Sequence, residues 1–141
     1  LAVAERWVTE HPDTEFDFFL PPYSILFWDK VIREGRTEAV FAAIRQAGQT
    51  LLQYDNVKFY GYLMDPEIVT NLDNYCDYIH HSGGVCREIL AMLQREEGRL
   101  TEENLEETLA NWREFVVHYD YDQFWDERFW IQWNAEHAAA P

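Results

Sequence analysis

The chain has 141 residues, enough for one domain with a hydrophobic core. A composition of 48% hydrophobic and 16% aromatic residues excludes intrinsic disorder. With 11 basic against 26 acidic side chains the formal charge is −15, which argues against duplex nucleic acid and anionic membranes as partners, since both are gripped by Lys and Arg.

The opening stretch, LAVAERWVTEHPDT, predicts a helix. Leu1, Val3, Ala4, Trp7 and Val8 recur at helical spacing, and His11-Pro12-Asp13 stops it. EFDFFLPP follows as a short buried strand over roughly residues 15–20, closed by a proline pair. YSILFWDKVIREG reads as a helix that Gly35 ends, with Ser24 at its N-cap. RTEAVFAAIRQAGQTLLQYDN is a clearer helix, striped by Val40, Phe41, Ile44, Ala47, Gly48 and Leu51.

A second strand is predicted over roughly residues 57–64, where Val57, Phe59, Gly61 and Leu63 alternate with Lys58, Tyr60, Tyr62 and Met64. PEIVTNLDNYCDYIHH is irregular, with room for one helical turn. Ser82 is placed to cap the next helix, GGVCREILAMLQREEG, which carries Val85, Ile89 and Leu93 on one face. Thr101 starts the helix TEENLEETLANWREFVVHYD, where Glu102 and Glu103 suit the N-terminal dipole. The end of the chain is aromatic and partly helical. Tyr119, Tyr121, Phe124, Trp125, Phe129, Trp130 and Trp133 serve there either as packing surface or as a protein interface, with Trp125, Trp130 and Trp133 the candidate partner contacts.

Strands separated by helices imply parallel pairing and an α/β class, with several helices flanking few strands in a partial three-layer, flavodoxin-like arrangement. Only two strands are visible, too few for a sheet buried on both faces. The chain, read as one domain over residues 1–141, is therefore expected to be the C-terminal portion of a larger one. A start at Leu1 without Met fits that expectation.

Chemistry concentrates in DNYCDYIHHSGGVC, residues 73–86. Open α/β sheets bind ligands outside the carboxyl ends of their strands, and two segments reach that edge: PPYS, with Ser24, and the loop carrying Asp77 and His80. A carboxylate three residues before a histidine can fold back onto one ring nitrogen, fix the tautomer and leave the other nitrogen to act as a base. The same spacing also suits a solvated loop acid beside a packing histidine. Cys76, Asp77, His80, His81 and Cys86 include metal-ligand types, but their spacing matches no zinc pattern, and no metal or other cofactor is expected. Whether Cys76 and Cys86 pair is not legible.

FDFFLPPYSILFWD, TNLDNYCDYIHHSGGVCREIL and LANWREFVVHYD together resemble the C-terminal half of bacterial envelope proteins related to the SGNH (GDSL-type) hydrolase superfamily. The resemblance spans about residues 15–120 and places that superfamily's last motif, Asp-x-x-His, on Asp77 and His80. It implies an esterase or O-acyltransferase acting on acyl esters of cell-envelope polymers, on an acylated glycan or a small ester, outside the cytoplasm. Asp77 would orient His80, and His80 would serve as base to a serine. His81 and Ser82 would then shape the loop behind the pair. No Gly-Asp-Ser motif is present, so the nucleophile is expected upstream, with Ser24 a candidate within the chain. The chain alone is then expected not to hydrolyse esters. The alternative reading is an acidic, aromatic-rich binding protein of inhibitor or immunity type, with no catalytic role for Asp77 and His80.

Overall fold

The computed structural model describes residues 1–125 and Ile131. The chain forms a small α/β domain. Among the described residues, helices α1 (Ala2–Glu10), α2 (Ile25–Arg33), α3 (Thr37–Leu51), α4 (Pro66–Val69), α5 (Gly83–Gln94) and α6 (Leu105–His118) surround strands β1 (Phe16–Phe19), β2 (Val57–Tyr60) and β3 (Arg99–Leu100). The sheet order is β1-β2-β3, with β1 parallel and β3 antiparallel to β2. Parallel pairing aligns Phe16 with Val57 and Phe19 with Tyr60, so both strands end at the same edge.

The sheet is built by alternation. Phe16, Phe18, Val57, Phe59 and Leu100 pack against the buried stripes of α2 (Ile25, Trp28, Val31), α3 (Phe41, Ile44, Leu51) and α6 (Leu105, Leu109, Trp112, Val116). Tyr60 leaves that cluster and joins Tyr62, Ile68 and the α5 residues Val85, Ile89 and Met92. Period-2 side chains on β2 thus enter two separate cores. Burying Trp28 and Phe59 almost completely contributes about 1.5–3 kcal/mol or more each relative to exposure.

β2 stops at Tyr60, not at residue 64. Gly61 to Met64 instead curl into a 3-10 turn in which Tyr62, Leu63 and Met64 are consecutively buried, a pattern no half-buried strand can produce. The curl brings Gly61 close to Leu100, whose Cδ1 would lie 3.2 Å from a Cβ there. The third strand, β3, went unseen because two residues carry no periodicity. It is fed by Gly98 at φ +70°, a left-handed turn, and the Gly98 carbonyl accepts from Gly61 N–H at 3.0 Å.

Helix α6 begins at Leu105 rather than Thr101. Residues 101–104 form a reciprocal turn: Asn104 Oδ1 accepts from Thr101 N–H at 2.8 Å, and Thr101 Oγ1 accepts from Asn104 N–H at 3.3 Å. In α1 only Val8 is buried, and Val3 and Trp7 of the predicted apolar stripe face solvent. Helix α2 closes as expected, with Gly35 at φ +66° and Arg36 N–H returning to the Val31 carbonyl. Of the aromatic tail, Tyr119, Tyr121 and Phe124 continue a chain of ring contacts from Trp112 and Phe115 and pack on the core. Phe129, Trp130 and Trp133, and the side chain of Trp125, lie outside the described residues. No helix among the described residues is long and apolar enough to cross a membrane.

Candidate functional site at the carboxyl edge of the parallel strands

β1 and β2 both deliver their carboxyl ends to one edge, and the segments beyond them meet there. Leu20 N–H donates to the Tyr60 carbonyl and Leu63 N–H to the Leu20 carbonyl, which fixes the exit of both strands. Past β1 the proline pair carries the chain through a tight turn, in which Tyr23 N–H donates to the Pro21 carbonyl at 3.0 Å, and on to Ser24. Past β2, α4 and a 3-10 turn at Leu72–Asn74 carry the chain into a pinched loop. Asp65 caps α4 by accepting from Glu67 and Ile68 N–H, with Pro66 at the first helical position. The pinch is an isolated antiparallel bridge between Tyr75 and His81, reinforced by Cys76 N–H to His80 O at 2.8 Å and Ser82 N–H to Asn74 O at 2.7 Å.

Inside the pinch, Asp77 is fully engaged. Its Oδ1 accepts from the backbone N–H groups of Ile79 and His80, both at 2.8 Å, and its Oδ2 lies 2.6 Å from His80 Nδ1. The Ile79 N–H bond, followed by the His80 ring and the His80 N–H, pulls the Asp77 carboxyl from its ordinary 3.8 down to about 2. Asp77 is therefore a carboxylate at neutral pH and can only accept, so His80 Nδ1 carries the proton. In the neutral ring Nε2 is then left as an acceptor, and it has no hydrogen-bond partner among the described residues. The side chains of His80 and Asp77 are 72% and 48% exposed, so the pair is accessible from solvent.

Pro21, Tyr23, Ile79, His80 and His81 wall an open hollow of about 410 Å³. One wall comes from the exit of β1 and the other from the loop after β2, as the rule for parallel sheets requires. His81 contributes to this wall, and its Nδ1 is sealed from solvent with no hydrogen-bond partner among the described residues. A second hollow, of about 380 Å³, lies between Gly61, Met64–Glu67 and Gly98–Leu100. Two of its polar groups are already engaged: Asp65 caps α4, and Arg99 pairs with Glu96 at 2.8 Å.

Ser24 does not sit as a nucleophile. It is fully buried, and its Oγ donates to the Tyr78 carbonyl at 2.8 Å. It occupies the N-cap of α2, but its side chain makes no capping bond. Ser82 likewise holds the N-cap position of α5 without a side-chain capping bond. Cys76 and Cys86 are free, exposed thiols. Among the described residues no group of three or more His, Cys, Asp or Glu side chains is arranged to hold a metal ion. The sequence placed the PPYS segment and the loop of Asp77 and His80 at this edge, but among PPYS it singled out Ser24 rather than Pro21 and Tyr23, and it did not single out Ile79. The proline pair that ends β1 was the available signal.

No family model matches the chain, and no solved structure matches it significantly. The chain is similar to curated proteins described as "UPF0735 ACT domain-containing protein" from Lacticaseibacillus casei and from Lacticaseibacillus paracasei. Each is 24% identical over 90 residues, which cover 64% of this chain and 62% of the relative. The chain thus spans less than two thirds of the length of these relatives. This finding overturns the resemblance to SGNH hydrolases, together with its esterase or O-acyltransferase activity and its cell-envelope associations. The relatives' description names an ACT domain and neither an inhibitor nor an immunity protein, so the alternative reading gains nothing from them. The physical reason lies in the motif. Asp-x-x-His closes a turn through Asp77's own bonds to Ile79 and His80 N–H, a local stability that needs no serine and no triad.

Proposed function

We propose that this chain is a small-molecule-binding domain whose site is the hollow between the Pro21–Tyr23 segment and the Ile79–His81 loop. ACT domains typically bind small-molecule ligands, and the relatives carry that domain in their descriptions. The flanking of the sheet by α2, α3 and α6 on one side and α5 on the other suits a small flavodoxin-like layering. In such sheets a ligand lies past the carboxyl ends of the strands.

One observation carries the reading: the His80 ring is held by Asp77 at Nδ1 and lines the hollow with Nε2 unengaged. An imidazole so oriented loses little freedom when a ligand donates to it. Tyr23, Pro21 and Ile79 supply the apolar contact that a small ligand needs beside one polar anchor. Tyr23 is itself braced by the Phe27 ring at 4.9 Å.

The test is a titration of the protein with phenol, followed by amide and side-chain NMR shifts. Phenol offers one donor and one apolar ring. The reading expects shifts concentrated on Tyr23, Ile79, His80 and His81, and a severalfold weaker affinity in His80→Ala with the rest of the spectrum unchanged. Shifts concentrated instead at Gly61, Met64 and Thr108, or an unchanged affinity in His80→Ala, would reject it.

A further inference from the structure

The walls of this hollow carry information about charge. None of Pro21, Tyr23, Ile79, His80 and His81 is a Lys or Arg, so nothing there is a fixed cation for a carboxylate or phosphate. Behind the wall the Asp77 carboxylate, 2.6 Å from the His80 ring, supplies a negative charge. The anchor atom, His80 Nε2, is an acceptor in the neutral ring. Tyr23 adds an aromatic ring, whose face attracts cations. The chain as a whole bears a formal charge of −15, which repels anions and draws cations in from solution.

We infer that the hollow selects small organic cations, an ammonium group donating to His80 Nε2 beside the Tyr23 ring, over neutral or anionic molecules of the same shape. The inference rests on the small-molecule reading above and names the ligand class for that site. An ammonium brings donors only, which matches an acceptor without a partner. A carboxylate brings acceptors only and meets an acceptor nitrogen backed by another carboxylate.

The experiment compares three probes of one shape at pH 8: benzylamine as its ammonium ion, benzyl alcohol and benzoate. Dissociation constants are read from NMR shifts of Tyr23, Ile79, His80 and His81. The expected order is ammonium tightest, by about tenfold over the alcohol, with benzoate weakest. Asp77→Asn, which removes the charge behind the ring, should bring the ammonium-to-alcohol ratio close to one while the alcohol's own affinity falls less. Equal affinity for ammonium and alcohol in the wild-type protein would overturn the charge selection and leave the small-molecule reading standing, as would benzoate binding tightest. Ammonium shifts spread over the acidic surface rather than on these four residues would overturn it as well. If none of the three probes moves these residues, the small-molecule reading fails and this inference with it.

Discussion

Ser24 Oγ donates a 2.8 Å hydrogen bond to the carbonyl of Tyr78, 54 residues further along the chain. Ser24 N–H reaches the same oxygen at 3.2 Å. One buried serine thus fastens the turn between β1 and α2 to the loop that holds Asp77 and His80, and so sets the spacing of the two walls of the hollow. A hydroxyl at a strand end just before a helix reads from sequence as a nucleophile or a helix cap, yet this one is buried and used up in a tertiary bond.

Ser24→Ala should therefore cost about 1 kcal/mol of stability, the net worth of a typical intramolecular hydrogen bond. It should also speed hydrogen exchange at Cys76 and Ser82 N–H, which close the same loop. Ser82→Ala removes no capping bond and should cost only a few tenths of a kcal/mol, less than the about 1 kcal/mol of a working serine cap. Urea unfolding of the two variants decides: a Ser82→Ala loss equal to or larger than that of Ser24→Ala contradicts this assignment.

Gly48 and Leu105 make the close contact between α3 and α6. A Cβ at residue 48 would lie 2.8 Å from Leu105 Cδ2 and 3.0 Å from Cδ1. Replacing a mid-helix glycine by alanine ordinarily gains about 1 kcal/mol. Here Leu105 is 3% exposed and has little room to rotate, so overpacking of about 1–3 kcal/mol offsets or exceeds that gain. Gly48→Ala should leave the protein no more stable and up to about 2 kcal/mol less so. Combined with Leu105→Ala, it should lose less than the sum of the single losses, because the new methyl occupies space the leucine vacates. A Gly48→Ala protein more stable by a full helix-propensity increment would show that the two helices separate freely.

The helices were legible where burial follows the helical period, as with Ile25, Trp28 and Val31 or Phe41, Ile44 and Leu51. The parallel pairing of β1 and β2 was legible from the helices between them. What sequence could not show depends on contacts distant along the chain. The two-residue β3 exists because Gly98 turns back toward Gly61, and α1 exposes Val3 and Trp7 although their spacing is regular. The Asp77–His80 bond was legible because it is local, and for the same reason it was misleading. A turn that stabilises itself says nothing about a distant serine, and the chemistry read into it belonged to a family the relatives do not support.

Asp77 holds its loop as an ionised side chain. Its carboxyl is held near pH 2 by Ile79 N–H first, then by the His80 ring and the His80 N–H, against an ordinary 3.8. Following its side-chain carboxyl carbon by NMR should show a midpoint well below those of exposed Asp and Glu residues. His80→Ala removes the ring but neither backbone donor, so the midpoint should rise only part of the way toward 3.8. A full return would mean that the ring, not the turn, holds the charge. Because the folded value lies below the unfolded one, the unfolded chain binds the extra proton as pH falls. The stabilisation is complete above about pH 4 and is lost as pH drops toward 2. Asp77→Asn cannot ionise and lacks that dependence. The stability difference between wild type and Asp77→Asn, measured by urea unfolding at successive pH values, should shrink across that window. A difference that stays constant from pH 5 to pH 2 would show that Asp77 holds its loop no better as a carboxylate than as an amide.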